Sequence, residues 1–286
     1  MTRPAANTRS KRGGKRSRAK ASIESYSVTA KHYDAAYTVK QDLVDLLFYL
    51  DLAKRSGGPV LEIACGTGRV LLPIAREGIA IDGVDNSLPM LSVLKSHIEN
   101  EPPQIRRNIT LHNGNMRDFR LRKKYPLVII PFRPLQHMHT VQDQLKALTT
   151  AAFHLQKNGV LAFDVFYPRF ELIAAGIGQE ILDLEWPAGN DLFVRRYFRK
   201  ESVDKINQNF SFTFIFRTYQ SDKLVREESE PFTMSYYTYP HLKALFLLAG
   251  LESVAEYGSF AKTPLDNTAD QMIFLLRRGG PSCPRS

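Results

Sequence analysis

Glu62, Gly66, Gly68 and Asp85 are the residues of this chain whose types and spacing suit a nucleotide-like ligand. Glycines at 66 and 68 allow unusual backbone angles and let a ligand lie against the main chain, close to the N–H groups of a helix start. An acid some twenty residues further on can accept hydrogen bonds from both hydroxyls of a ribose, and Asp85 stands there. Further along, Phe132-Arg-Pro-Leu-Gln-His137-Met-His139 carries histidines, a type that titrates in the range needed to take a proton from a reacting amine or hydroxyl. The His-x-His pair has no accompanying carboxylate or cysteine cluster, so no metal is expected. Tyr33, in Lys31-His-Tyr-Asp-Ala-Ala-Tyr37, offers a hydroxyl on an aromatic body that can line a channel and still hydrogen-bond. Its four-residue spacing from Tyr37 suits one packed helix face equally well.

Such residues need particular elements to hold them. Val60-Leu-Glu-Ile-Ala-Cys-Gly-Thr-Gly68 is an apolar run fit for a buried parallel strand that breaks into a glycine turn, and Arg69 to Arg76 continues with helical spacing. Ile79 to Asp85 predicts a second strand, and Asn86-Ser-Leu-Pro-Met90 opens a helix with a capping side chain and Pro89 in its first turn. A dinucleotide fingerprint needs a third glycine where Leu71 stands.

The loop instead resembles the Glu/Asp-x-Gly-x-Gly-x-Gly signature of class I S-adenosylmethionine-dependent methyltransferases, with Ala64 at the first glycine. The resemblance implies S-adenosyl-L-methionine as cofactor. It implies that Glu62 lies near the cofactor's amino-acid end, that Ala64, Cys65, Gly66 and Gly68 pass under it, that Asp85 beside Asn86 holds the ribose, and that Met90 packs near the adenine. Asn113-Gly-Asn-Met-Arg-Asp-Phe119 resembles the family's Gly-Asp-Met-Arg-Asp-Phe loop, which makes Asn115 and Met116 adenine contacts, an amide standing in place of the acid. The segment from Phe132 to His137 is similar to the Phe-x-Ser-Ile-x-His-Leu loop of small-molecule methyltransferases that act on sugar amines. By that likeness Phe132 faces the cofactor and His137 aligns with their proposed base, with Pro134 in the serine's place. Lys31 to Tyr37 resembles the Tyr-Asp-x-x-Tyr element that closes over the cofactor, which gives Tyr33 its catalytic place. The likeness covers roughly residues 31–278.

The remaining chain fits an α/β fold of this kind. Asn108–His112, Pro126–Phe132 and Val160–Phe166 predict three more strands, and a capping box at Thr140-Val-Gln-Asp143 opens a helix between the last two. Residues 179–239 alternate apolar and polar, rich in aromatics, as an antiparallel sheet does. A helix at 239–250 and strands at 251–257 and 270–277 close the chain. The expected architecture is Rossmann-like: a seven-stranded, mostly parallel sheet with helices on both faces, plus an antiparallel β-rich insertion after the fifth strand. The expected organisation is a disordered basic tail over 1–21, a methyltransferase domain over 22–280 whose 168–240 stretch caps the substrate, and a flexible C-terminus over 281–286.

Composition sets limits on partners. Eight basic residues and no acid occupy the first twenty positions, leaving 31 of the 39 basic residues against 29 acidic ones, so the formal charge of +10 belongs mostly to the tail. Such a tail cannot bury enough apolar surface to fold alone. Two cysteines give no disulfide framework, no long apolar run suits a membrane span, and the basic start is no secretory signal, so a cytoplasmic location is expected. The expected activity is methyl transfer to nitrogen or oxygen of a small molecule. Two alternatives stand beside it: methylation of nucleic acid through the basic arm, disfavoured because Ile130-Pro-Phe-Arg133 lacks the Asn/Asp-Pro-Pro-Tyr/Phe grip on a flipped base, and cofactor binding without transfer.

Overall fold

The computed structural model describes residues 26–40 and 43–279. The tail at 1–21 and the C-terminal stretch at 281–286 lie outside the described residues. The elements run α1 (Thr29–Lys40), α2 (Val44–Ser56), β1 (Val60–Ile63), α3 (Leu71–Arg76), β2 (Ile81–Asp85), α4 (Leu88–Glu99), α5 (Pro103–Arg106), β3 (Ile109–Asn113), β4 (Tyr125–Ile130), a 3₁₀ turn (Pro134–His137), α6 (Val141–His154) and β5 (Leu155–Phe166). There follow α7 (Phe170–Ala174), β6 (Glu180–Gly189), β7 (Leu192–Asp204), β8 (Asn209–Gln220), β9 (Lys223–Ser235), α8 (Tyr239–Leu248), β10 (Leu251–Tyr257) and β11 (Gln271–Arg278).

Seven strands form one sheet in the order β10-β11-β5-β4-β1-β2-β3. Neighbours from β5 to β3 pair in parallel, whereas β11 runs antiparallel to both β5 and β10. The chain winds outward from β1 in both directions, so a crevice opens at the carboxyl ends of β1 and β4. Burial explains the apolar runs: Val60, Leu61, Val128, Ile129, Leu161 and Phe163 are buried with helices on both sheet faces, and each such side chain contributes about 1.5–3 kcal/mol. Helix starts follow local chemistry. Ser87 Oγ accepts from Met90 N at α4, and Thr140 Oγ1 from Asp143 N at α6.

The second sheet, β6-β7-β8-β9, is antiparallel throughout and leaves the main sheet after β5, as the alternation predicts. Its inner face packs on two things. Trp186, Val194 and Phe216 meet Ala36 of α1, and Phe210, Phe212, Phe232 and Tyr236 form an aromatic cluster that includes Tyr26. The N-terminal helix is thereby clamped between the insertion and the strand tips.

Several boundaries differ from expectation. Helix α3 begins at Leu71 rather than Arg69, because Gly68 still holds φ +89° and turns the chain. The fifth strand begins at Leu155, directly from the end of α6. At Gly68 an added Cβ would come within 2.3 Å of Leu94 Cδ1 as well as taking a left-handed angle. Gly68→Ala is therefore expected to cost about 1–3 kcal/mol of stability, read as a lower urea midpoint. A midpoint equal to wild type would show that the turn is not held this tightly.

Candidate active site

Everything at the strand tips is arranged around the β1–α3 turn. Glu62 is buried within β1, and its Oε2 has no hydrogen-bond partner. Three left-handed residues, Ala64, Gly66 and Gly68 (φ +59°, +56° and +89°), fold the chain back beside it. The turn is stitched by Gly68 N–H donating to Cys65 O (2.9 Å) and Gly66 N–H donating to Asp85 Oδ2 (2.8 Å). Asp85 Oδ1 accepts from Ser87 N–H (2.7 Å), so one carboxylate ties the glycine turn to the start of α4. A Cβ on Gly66 would meet nothing within 4 Å, which leaves open space over this part of the main chain.

Both acids are perturbed. Burial pushes the Glu62 carboxyl well above the usual range, with the Arg69 charge opposing and Asp85 reinforcing. Burial also raises Asp85, against the N–H groups of Ser87, Gly66 and Asn86 and the charge of His137. His137 and Asp85 thus share one electrostatic site.

Helix α1 is pinned over the turn. Thr67 Oγ1 donates to Asp34 Oδ1 (2.8 Å), and His97 bridges Asp34 (3.2 Å) and the Thr67 carbonyl (3.1 Å). Arg69 forms a two-point ion pair with Asp45 of α2 and lies over the Phe132 ring (4.7 Å to its centroid). Tyr33 stacks obliquely on Tyr37 (4.5 Å), and Tyr37 meets Phe132 edge-on (5.0 Å). The Tyr33 phenol is raised far above its usual value by burial and senses Arg69 and Asp45.

Beyond β4, Phe132 and Arg133 both take left-handed angles (φ +67° and +70°). Phe132 N–H is fixed by Asp164 Oδ1 (2.7 Å), an oxygen that also accepts from Tyr49 Oη (2.7 Å). The loop then enters the 3₁₀ turn that ends at His137. There His137 Nε2 and Tyr26 Oη lie 2.9 Å apart, one hydrogen bond whose donor depends on the imidazole tautomer. Tyr26 in turn packs on Phe232 of β9 (5.0 Å). A cavity of about 990 Å³ opens between α1, α2 and the tips of β4, β5 and β11; Thr67, Gly68, Phe132 and Arg133 line it, while Asp85, Asn115 and His137 do not.

The structure thus gathers Glu62, Ala64, Gly66, Gly68, Asp85, Phe132 and His137 at one end of the sheet. Other expected residues stand differently. The Cys65 N–H, expected to face a cofactor, donates to Val84 O (3.1 Å) within the sheet, and the thiol is buried. Asn115 Oδ1 accepts from Arg117 N–H (3.0 Å) and Nε–H (3.1 Å), closing its own turn. Met116 packs against the core, Met90 is buried and Asn86 is exposed. Tyr33, expected to line the site, packs on Tyr37, and His137 is met by Tyr26. No spacing rule would have found Tyr26. Asp164 was findable, since it is an acid near the tip of a buried strand, the same signal that singled out Asp85. Among the described residues no cluster of histidine, cysteine and carboxylate side chains could hold a metal ion.

Residues 60–159 match the family model of a methyltransferase domain. A dTDP-3-amino-3,4,6-trideoxy-alpha-D-glucopyranose N,N-dimethyltransferase of Streptomyces venezuelae is 32% identical over 108 residues, 38% of this chain and 42% of that protein. The chain therefore spans less than half the length of that relative. A cypemycin N-terminal methyltransferase of Streptomyces sp is 22% identical over 222 residues, 78% of this chain and 84% of that protein. Among solved structures, the CcbJ methyltransferase of Streptomyces caelestis superposes with a TM-score of 0.75 at 20% identity, covering 90% of this chain and 98% of that one. The fold is that of Rossmann-like methyltransferases, and the matched stretch, residues 60–159, contains the glycine loop.

Proposed function

We propose that this chain is an S-adenosylmethionine-dependent methyltransferase acting on an amine or hydroxyl of a small molecule, with its site at the tips of β1, β2 and β4. One observation carries this: the unpartnered, buried Glu62 oxygen lies in the strand leading into a turn whose Gly66 has open space above it, with Asp85 at the next strand tip. An orphaned buried carboxylate calls for a cation, and the ammonium of the cofactor's amino-acid end is one. Asp85 can add ribose hydroxyls to its hydrogen bonds from the Gly66 and Ser87 N–H groups, since a carboxylate has about four lone-pair sites. The residues therefore fit the group. When bound, it supplies a methyl already activated by its sulfonium. Known relatives include sugar N,N-dimethyltransferases, which supports an amine acceptor.

The protein's part is then orientation, exclusion of water and handling of one proton. Phe132, held by Asp164, and Tyr37 wall the crevice with aromatic surface. His137, held by Tyr26 through Nε2, takes the acceptor's proton or keeps its lone pair free. Calorimetry with S-adenosylmethionine, followed by turnover against mixed amine and hydroxyl metabolites, tests the proposal through release of S-adenosylhomocysteine. Absence of binding sinks it. Binding without release favours a non-catalytic binder.

Acidity gives a second test. With both acids raised above the ordinary carboxylate range of about 4, the cofactor's hold should weaken as pH falls from above their raised values toward that ordinary range, as protonated carboxyls lose the charge that grips it. Stability moves the other way for these two groups: their contribution is complete below the unfolded pKa and declines as pH rises through the raised values. A dissociation constant flat across that window would contradict ionised Glu62 and Asp85 as the grip.

The eight basic residues among the first twenty support a second acceptor class, nucleic acid. Removing residues 1–21 should leave small-molecule turnover intact, whereas a nucleic-acid enzyme would lose activity and salt dependence together. We place the protein in the cytoplasm; among the described residues no helix is long and apolar enough to cross a membrane.

A further inference from the structure

The lining of the 990 Å³ cavity includes a donor and an acceptor with no hydrogen-bond partner among the described residues. Arg133 Nε and Gln271 Oε1 are both buried without a hydrogen-bond partner, and among the described residues Arg133 forms no ion pair. The other basic side chains lining this cavity are engaged: Arg69 with Asp45, Arg76 with Glu101 and His97 with Asp34. Asp164 faces Arg133 through charge, yet the hydrogen bonds at its Oδ1 come from Tyr49 and the Phe132 N–H. The guanidinium lies 5.9 Å from the ring centroids of both Phe132 and Phe166, which restrain its plane. A partly desolvated, pre-oriented guanidinium is the group that reads a carboxylate or phosphate, through parallel N–H donors.

Position decides which ligand it serves. The cofactor's anchors, Glu62 and Asp85, stand on β1 and β2, whereas Gln271 opens β11, which the sheet order places beyond β4 and β5 from β1. Phe166, opposite Gln271 in the sheet, lies 5.9 Å from the Arg133 guanidinium, so the two flank the β5–β11 side of the cavity, whose lining includes neither Glu62 nor Asp85.

We infer that Arg133, with Gln271 beside it, is an oxyanion subsite for the methyl acceptor, so that the acceptor is an amine or hydroxyl compound bearing a carboxylate or phosphate. This rests on the methyl-transfer reading above.

The test uses the full chain loaded with S-adenosylhomocysteine and titrated by calorimetry with L-phenylalanine, L-phenylalaninamide and inorganic phosphate. Phenylalanine suits the aromatic walls at Tyr37, Phe132 and Phe260. Expected are binding of at least one anion, an amide weaker than its acid by about tenfold or more, and loss of that preference in Arg133→Met, with partial recovery in Arg133→Lys. Tighter binding of phenylalanine than of phosphate assigns a carboxylate, the reverse a phosphate. No anion binding, equal binding of acid and amide, or anion binding that survives Arg133→Met overturns the subsite. So does an Arg133→Met protein that loses affinity for S-adenosylhomocysteine, since Arg133 would then hold the cofactor's own carboxylate. A wild-type chain that does not bind S-adenosylhomocysteine at all fells the methyl-transfer reading together with the subsite, an outcome distinct from the others.

Discussion

Asp85→Asn should weaken binding of S-adenosylmethionine by one to two orders of magnitude, about 1.4–2.7 kcal/mol, while leaving the protein folded. The carboxylate has three jobs in one place. It accepts from Gly66 N–H and from Ser87 N–H, and in the proposed reading it also accepts from the ribose hydroxyls. An amide keeps one acceptor oxygen and turns an NH₂ group toward donors, so it cannot hold both N–H groups and a diol. Asp85→Ala goes further and leaves buried N–H groups unpaired, so it should also lower thermal stability, by about 1–3 kcal/mol. Calorimetry with the cofactor, alongside thermal unfolding, separates the two effects. Full affinity in a folded Asp85→Asn protein would mean that the ribose is held elsewhere.

His137→Ala should slow turnover by about 10²–10⁴-fold with cofactor affinity nearly intact, the range expected for a lost general base. Tyr26→Phe offers the finer probe. It removes only the hydroxyl that meets Nε2 and keeps the ring on Phe232, so folding should be preserved and kcat should fall by about tenfold, one hydrogen bond's worth. If the two residues act as a unit, the double variant should be little worse than His137→Ala alone. Additive losses would mean that Tyr26 acts on something other than His137. Wild-type rates for His137→Ala at saturating acceptor would remove it from the chemistry.

The residues that the sequence identified at this site share one property: their signals are local. A strand followed by a glycine turn, an acid at the next strand tip and an aromatic-histidine loop after a buried strand are each contained within a few residues, where φ preferences, periodicity and side-chain type suffice. The same holds for the alternating aromatic runs of β7 and β8, which announce an antiparallel sheet wherever it packs. Thr140 and Asp143 likewise declared a helix start through one cap.

What lay beyond reach were partnerships over long separations. Tyr26 meets His137 across 111 positions, and Tyr49 meets Asp164 across 115. A tyrosine's type says that its hydroxyl wants a partner when buried, but not which one. That choice belongs to packing: α1 is trapped between the inserted sheet and the β1 turn, and this alone brings Tyr26 to the histidine and sets Tyr33 against Tyr37. The chain by itself therefore determined the fold class and the glycine turn with an acid on each side of it, through short-range stereochemistry. Only the tertiary structure decided which side chain holds the histidine, which carboxylate fixes the loop leading to it and which cation stays unpaired beside the cavity, because hydrogen bonds and ion pairs between distant segments exist only once those segments are packed together.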